Sequence, residues 1–112
     1  MALCHGTGSR TNQQIIVYGK ALALLYDYIV LADFDPRKRP AGETSELVKQ
    51  GLLQGGFAED QIKIVPKSEA LDYLFAKVQK GDLLVINPDT LEPIMGQITE
   101  RFRQMLADVD AQ

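Results

Sequence analysis

The chain has 112 residues, of which 46% are hydrophobic and 24% charged, and its net charge at pH 7 is −3. This length fits one globular domain, and the ordinary charged fraction argues against a disordered chain. No stretch approaches the ~20 apolar residues of a membrane span, no signal peptide opens the chain, and no broad basic surface is indicated. We therefore expect a cytoplasmic protein that binds neither membranes nor nucleic acid.

A single cysteine and a single histidine, Cys4 and His5, limit the chemistry of the chain. One cysteine cannot form an internal disulfide, and one cysteine with one histidine cannot build a closed zinc site. On a strand these adjacent side chains point to opposite faces, which disfavours a nucleophile–base pair. We predict Cys4 to be a small buried hydrophobe and leave open whether His5 lines a site. We predict no catalytic residue and no metal site.

Short apolar runs alternate along the chain with stretches whose apolar residues recur at helical spacing. The first run, residues 1–5, precedes a Thr11–Gln14 capping box and a helix that is predicted to end near Tyr26-Asp27. The uninterrupted run 28–32 is typical of a strand buried on both faces, and a second helix is predicted over Glu43–Gln54. The predicted apolar face of the first helix consists of Ile15, Tyr18, Leu22 and Leu25.

The second half of the chain continues this alternation. A strand is predicted over residues 61–66, a helix capped by Ser68 follows, and the apolar run within 82–87 predicts a central strand. A last helix is predicted to begin near Asp89 or Thr90, and the polar tail 108–112 is expected to fray. The predicted apolar stripes are Leu71, Leu74, Phe75 and Val78 on the third helix, and Ile94, Ile98, Phe102 and Met105 on the fourth.

The predicted element order is therefore β-α-β-α-β-α-β-α within one domain, residues 1–112. Parallel β-α-β units with right-handed crossovers give an α/β fold, a three-layer αβα sandwich with a Rossmann-like, mostly parallel sheet of about four strands. Ligands of such folds bind at the carboxyl ends of the strands. Three loops are predicted to lie there: 6–10, 33–43 and 87–90.

The first of these loops, Gly6-Thr7-Gly8-Ser9-Arg10, joins a strand to a helix. Its glycines let the backbone approach a ligand, the helix N-terminus favours an anion, and Arg10 can grip a phosphate or a carboxylate. Thr11 stands where a dinucleotide fingerprint needs a third glycine, and no phosphate loop occurs in the sequence. The structural alternative is that the glycines serve only the turn and that Arg10 is solvated.

The second loop, 33–43, is the most distinctive segment of the sequence. It places two aspartates, three consecutive cations and two prolines between a predicted buried strand and a helix. The cations could bind an anionic ligand, and Asp33 and Asp35 could take a cation or an amine. The alternative is a solvated charged surface, although the flanking prolines indicate a loop of defined shape.

Two loop motifs and a later strand carry a resemblance to a known family. Gly6-Thr7-Gly8-Ser9-Arg10 is similar to a Gly-x-x-Gly-Asp-Arg-type turn, and residues 33–43, Asp-Phe-Asp-Pro-Arg-Lys-Arg-Pro-Ala-Gly-Glu, match the form Asp-x-x-x-Arg-Gly-Arg-Pro-x-Gly-Glu. Lys80-Gly81-Asp82-Leu83-Leu84-Val85 resembles a strand led by Gly-Asp. Over residues 3–107 the chain thus resembles the C-terminal domain of the Mur ligase superfamily, and within it the cyanophycin synthetases.

The resemblance implies a part in joining an amino acid to a carboxylate through an acyl phosphate made from ATP. It implies nucleotide binding by Gly6, Thr7, Gly8 and Arg10, and substrate binding by Asp33, Asp35, Arg37, Arg39 and Glu43. In this family a central domain holds the phosphate loop and the magnesium ligands. We therefore expect ATP and Mg only with such a domain and no cofactor for the chain alone. The expected partners are that domain or a second copy of the chain, with an amino-acid or polypeptide substrate.

The sequence also departs from the family pattern. Ser9 replaces the aspartate of the first motif, Lys38 replaces the middle glycine of Arg-Gly-Arg, and Asn87-Pro88-Asp89 lacks the usual continuation. We expect the family's first strand to be missing from this chain. Because no phosphate loop is present, we expect no ATP hydrolysis by this chain alone.

These observations favour one function over two others. The favoured one is the closing domain of an ATP-dependent amide ligase of the cyanophycin-synthetase type, not catalytic alone. The alternative is a stand-alone binding or assembly module with a decayed ligase site, in which an exposed sheet edge or apolar face drives oligomer formation. An independent small enzyme is disfavoured because no catalytic dyad or metal cluster is visible.

Overall fold

A parallel sheet organises the chain. The computed structural model describes residues 1–86, 99, 100, 103 and 104. The strands are β1 (Ala2–Cys4), β2 (Ile29–Leu31), β3 (Ile62–Ile64) and β4 (Val85–Ile86). They form a 4-stranded sheet in the order β3-β2-β1-β4, and every pairing is parallel. The predicted α/β class and parallel sheet are confirmed.

Helices connect these strands in the predicted alternation. They are α1 (Asn12–Leu22), α2 (Glu43–Gln54) and α3 (Lys67–Lys77), and a short 3-10 turn, Glu59–Gln61, precedes β3. The predicted bounds of α2 are confirmed at both ends. The loop 87–90, the apolar stripe of the predicted fourth helix and the tail 108–112 lie outside the described residues, although Thr99, Glu100, Arg103 and Gln104 are helical.

The sheet separates two apolar clusters, because successive strand residues point to opposite faces. On one face, Ala2, Cys4, Ile29 and Leu31 pack with Ile15 and Leu22 of α1 and with Val48 and Leu52 of α2. On the other, Leu3, Val30 and Ala32 pack with Ala70, Leu71 and Leu74 of α3. All residues of β2 are fully buried, so the prediction of a strand covered on both faces is confirmed, and the layers are helix, sheet, helix.

Two glycines, Gly19 and Gly51, let the backbones of α1 and α2 come into direct contact. A Cβ atom at Gly51 would overlap the carbonyl oxygen of Ile16, and one at Gly19 would overlap the carbonyl oxygen of Val48. Both obstacles are backbone atoms, which cannot swing aside as a flexible side chain can. This close contact lies in the second half of each helix and fixes α1 against α2.

The start of α1 agrees with the sequence prediction and its end does not. The Thr11 hydroxyl accepts from the Gln14 amide at 3.1 Å while the Gln14 side chain accepts from the Thr11 amide at 3.0 Å, which confirms the capping box. The helix, however, ends at Leu22 rather than near Tyr26-Asp27. The Leu24 and Leu25 amides bond three residues back, which tightens the chain into a turn, and Leu25 is 67% exposed instead of buried.

Two further element predictions are wrong. Helix α3 begins at Lys67, one residue before Ser68, and its cap position is Pro66, which makes no side-chain cap hydrogen bond. Pro66 lies just outside the helix, with φ at −59° and ψ at 144°, and its ring has no polar atom that could cap the first turn. The predicted central strand near the end of the chain is β4, which pairs within the described part of the chain with β1 alone. An uninterrupted apolar run does not distinguish a central from an edge position, and Leu83 of that run is exposed.

Among the described residues, no helix has the length and apolar character needed to cross a bilayer.

Candidate functional site

The loops that follow β1 and β2 lie side by side at the carboxyl edge of the sheet. We call residues 6–10 the glycine loop and residues 33–43 the charged loop. A parallel bridge pairs Thr7 with Asp35, and the Gly8 amide donates to the Asp35 carbonyl oxygen at 2.7 Å. The pairing of β1 with β2 is thus resumed beyond the strands, which brings the two predicted ligand-binding loops into direct contact.

The glycine at position 8 has a packing role. A Cβ atom there would overlap the carbonyl oxygen of Pro36 in the charged loop, so any other residue would push the two loops apart. A Cβ at Gly6 would meet the methyl carbons of Ile15 and Val48 at 3.1 Å each, tighter than ordinary packing. These contacts support the structural alternative for both glycines, and their predicted nucleotide binding stays a prediction.

Arg39 connects the charged loop to the glycine loop. Its Nε donates to the Gly8 carbonyl oxygen at 3.0 Å and its Nη2 to the Arg10 carbonyl oxygen at 2.6 Å. Its Nη1 donates to Asn12 Oδ1 at 2.6 Å and to Glu43 Oε1 at 2.5 Å. Four of the five guanidinium N–H groups are therefore used by the protein itself. The predicted substrate contacts of Arg39 and Glu43 stay predictions, but in this structure the two side chains bind each other.

Asp33 caps α2 from the end of β2. Its carboxylate accepts hydrogen bonds from the Gly42 amide at 2.5 Å, the Thr44 hydroxyl at 2.9 Å and the Ser45 hydroxyl at 2.8 Å. Burial opposes the ionised form, but the hydrogen bonds from Ser45, Gly42 and Thr44 outweigh it and hold the pKa of Asp33 below its ordinary value. Asp33, predicted to bind substrate, thus forms an ionised cap at the helix start.

The remaining predicted substrate residues lie on the outer side of the charged loop. Arg37 Nε binds Asp35 Oδ1 at 2.8 Å, and the Arg37 side chain is 61% exposed. The backbone of Arg37 is left-handed, with φ at 56°, where the chain turns so that the Arg39 amide donates to the Pro36 carbonyl oxygen at 3.1 Å. This ion pair is accessible to a ligand, whereas the guanidinium of Arg39 is turned inward to the glycine loop.

A cavity of about 320 Å³ opens beside the glycine loop and the first turns of α1. Its lining comprises His5, Gly6, Thr7, Arg10, Gln14, Ile15 and Tyr18. Three of the four predicted nucleotide-binding residues, all except Gly8, therefore line one cavity. Gln14 and Tyr18 were not among the predicted site residues, although their i, i+4 spacing places them on one face of the helix that follows Arg10.

The inner wall of this cavity is formed where β1 ends. His5 is 4% exposed, and its ring lies edge-on to Phe34 with 5.9 Å between the ring centroids. His5 therefore lines the cavity although its side chain is buried like a core residue. Cys4, the preceding residue, is buried as predicted. Burial raises the pKa of the Cys4 thiol to about 11, against the lowering effect of a hydrogen bond with Tyr18. The thiol is therefore neutral at pH 7 and is no nucleophile there.

A second cavity, of about 360 Å³, lies on the far side of the charged loop, between the start of α2 and the end of β3. Asp33, Gly42, Ser45, Ile64 and Lys67 contribute to its lining. Of the five predicted substrate residues, Asp33 is the one that lines this second cavity. Within the described residues, no group of three or more His, Cys, Asp or Glu side chains could hold a metal ion.

Comparison with known proteins gives a similarity that covers most of this chain. The cyanophycin synthetase of Crocosphaera subtropica is 34% identical over 97 residues, which are 86% of this chain and 11% of that protein. The chain is similar to one short segment of cyanophycin synthetase. The cyanophycin synthetase of a Nostoc species is 30% identical over 106 residues, 88% of this chain and 12% of that protein.

The similarity to cyanophycin synthetase extends to a Synechocystis enzyme, 29% identical over 97 residues, 86% of this chain and 11% of that protein. The chain spans about one tenth of the length of these curated relatives. No protein-family model matches the chain. The resemblance to cyanophycin synthetases is therefore supported over most of the chain, while the wider Mur ligase relationship stays a prediction.

Proposed function

We propose that this chain is the part of an ATP-dependent acid–amino acid ligase that closes over the bound nucleotide and substrate. Similarity to cyanophycin synthetases supports the ligase class, and the parallel α/β fold supports a ligand site at the carboxyl ends of the strands. Because the chain spans about one tenth of those enzymes, the residues that make the acyl phosphate would be supplied by the remaining protein. In that arrangement the chain binds and orients and does not catalyse alone.

The single observation that carries this proposal is the cavity at the start of α1. Thr7, Arg10 and Gln14 line it with a hydroxyl, a guanidinium and a side-chain amide, although the oxygen of that amide and the Gln14 backbone N–H are already used by the capping box. This donor set fits a phosphate group, with Arg10 as its cation. Magnesium would be held by the remainder of the enzyme, as the resemblance to ligases with a central magnesium-binding domain implies.

The chain's own contribution to the reaction is then positioning. ATP supplies the phosphoryl group that activates the substrate carboxylate. Arg10 orients a nucleotide phosphate at the mouth of the cavity, and the exposed Asp35–Arg37 pair faces the amino-acid or polypeptide substrate from the neighbouring loop. Closure of these loops over the reacting groups would exclude water and align them, which is how closing domains commonly raise rates.

Separated from the rest of the ligase, the chain is expected to bind a nucleotide weakly at most. The proposal is therefore tested by titrating the 112-residue chain with ATP–Mg to high concentration and following backbone amides by NMR. We expect the largest shifts at Thr7, Arg10 and Gln14, and a dissociation constant raised about tenfold in Arg10→Ala. Lys20→Ala is the matched control, because Lys20 is an exposed cation in the last turn of the same helix. Unshifted cavity amides, or equal affinity of the two variants, would contradict nucleotide binding by this cavity.

A second candidate function, assembly, is favoured by a separate observation. Leu24, Leu25 and Leu83 are 84%, 67% and 76% exposed, and they line a cavity of about 660 Å³ at the amino ends of the strands. Exposed apolar surface of this kind commonly marks an interface. Light scattering of the wild-type chain and of a Leu24→Ser/Leu25→Ser variant tests this: assembly predicts an oligomer that the double variant dissociates, and a wild-type monomer at high concentration contradicts it.

A further inference from the structure

We propose that Arg39 is a positioning residue for the glycine loop: its guanidinium fixes the backbone that carries Arg10 beside the cavity. This role rests on the proposed function in so far as Arg10 contacts an anionic ligand. It differs from the substrate contact that the family resemblance implies for Arg39. Within the part of the chain that the structure describes, its guanidinium contacts the glycine loop and the first residues of α1 and α2.

Two N–H groups of the Arg39 guanidinium bind two backbone carbonyl groups of the glycine loop. Nε and Nη2 lie along one edge of the planar guanidinium, and they bind the carbonyl oxygens of Gly8 and Arg10 at 3.0 and 2.6 Å. Binding two carbonyls two residues apart sets the orientation of the peptide units between them. The direction in which the Arg10 side chain leaves the loop is therefore set by Arg39.

The opposite corner of the same guanidinium ties the loop to both helices. Nη1 binds Oδ1 of Asn12, the first residue of α1, and Oε1 of Glu43, the first residue of α2. The Arg39 side chain is 16% exposed, and Glu43 compensates its charge. A cation this well covered and hydrogen-bonded has little freedom to reach an incoming substrate.

Only arginine can make this set of contacts from one position. Lysine has a single nitrogen, so it cannot bind both carbonyl groups along one edge and the two side-chain oxygens at the other. Lys38, its neighbour, is exposed in the same loop and has the same charge. Lys38→Ala therefore removes a cation from the charged loop but leaves the hydrogen bonds of Arg39 in place.

The test measures amide hydrogen exchange and ATP–Mg affinity for the wild-type chain, Arg39→Ala, Arg39→Lys and Lys38→Ala. The Gly8 amide, which donates to Asp35, and the Arg10 amide, which donates to Thr7, report on the glycine loop. We expect both to exchange at least about tenfold faster in the two Arg39 variants, with Leu74 of α3 unchanged and Lys38→Ala like the wild type. The dissociation constant for ATP–Mg should rise by a similar factor in Arg39→Lys, which keeps the charge.

The exchange data separate this inference from the proposed function. If the wild-type chain does not bind ATP–Mg, nucleotide binding fails, and exchange at Gly8 and Arg10 still decides the role of Arg39. Wild-type exchange rates at both amides in Arg39→Lys would overturn the inference, because the charge alone would then suffice. Faster exchange extending equally to Leu74 in that variant would overturn it as well, since the effect would be global.

Discussion

Asp33 Oδ1 accepts a hydrogen bond from the Ser45 hydroxyl at 2.8 Å, which joins the end of β2 to the first turn of α2. The cap position of α2 is Gly42, which has a φ of 86° and no side chain to offer, so the cap comes from a residue nine positions earlier, through the Gly42 amide. The Thr44 and Ser45 side chains are completely buried. Their hydroxyl groups depend on this carboxylate, which makes Asp33 the residue that orders the charged loop.

Replacing Asp33 by alanine is expected to destabilise the fold by about 2–3 kcal/mol, because the hydroxyl groups of the buried residues Thr44 and Ser45 lose their acceptor. Urea unfolding followed by circular dichroism measures this difference. Asp60→Ala, at an exposed carboxylate in the turn before β3, is the control and should change stability by less than about 0.5 kcal/mol. Similar losses in the two variants would contradict the capping role.

The Asp33 cap also makes stability depend on pH. The pKa of Asp33 is lower in the folded chain than its ordinary value of 3.8. Its contribution is therefore fully present above that ordinary value and is lost as the pH falls through the folded-state pKa. The difference in unfolding free energy between the wild type and Asp33→Asn should shrink as a urea series descends from about pH 6 to about pH 2. A difference that stays constant or grows on acidification would argue against an ionised cap.

Gly51→Ala is expected to destabilise the chain even though alanine favours helix. Propensity alone would add roughly 1 kcal/mol of stability. The new Cβ, however, would overlap the Ile16 carbonyl oxygen of the neighbouring helix, and separating α1 from α2 should cost about 2–3 kcal/mol net. Gln50→Ala, one residue earlier on the exposed side of α2, is the control and should be neutral or slightly stabilising in thermal and urea unfolding. Stabilisation by Gly51→Ala would show that the helices can separate freely.

Cys4 should react slowly with a thiol reagent in the folded chain. It is 2% exposed, and burial raises the pKa of its thiol to about 11, so the thiolate that reacts is scarce at neutral pH. We expect labelling at least about a hundredfold slower than in the urea-unfolded chain, with a rate that follows unfolding. Labelling rates measured at urea concentrations below the unfolding transition show whether the rate follows unfolding. Rapid labelling without denaturant would mean that β1 is accessible in the native state.

The sequence predicted local features with most success where neighbouring residues determine them. The capping box joins Thr11 to Gln14 within one turn, and the bounds of α2 follow from a regular apolar stripe between Gly42 and Gly55. The end of α1 was missed because alanine and leucine continue the helical pattern through residue 25, whereas the chain must turn early for β2 to pair with β1. Helix propensity is outweighed there by strand pairing.

The candidate site was predicted only in part. Placing the loops after β1 and β2 at one edge follows from parallel topology, and Gly6, Thr7 and Arg10 line a cavity there. The sequence could not predict which charged residues of the charged loop are hydrogen-bonded within the protein and which are accessible. Asp33, Arg37 and Arg39 stand in one run of charges, and nothing in that run distinguishes them. Only the fold shows that Arg37 is on the outer side while the other two are engaged by the backbone and hydroxyl groups around them.

By itself the sequence determined a short parallel α/β chain with its order of elements, because periodicity and turn residues report burial along the chain. The tertiary structure decided which charged residues hold the loops and which remain accessible. Arg39 and Gly8 are 31 residues apart, and the Thr7–Asp35 bridge that brings them together depends on the register of β1 against β2. The register of β1 against β2 is set when the two strands pair and bury their apolar side chains. The hydrogen-bond partners of Arg39 therefore cannot be read from the sequence pattern alone.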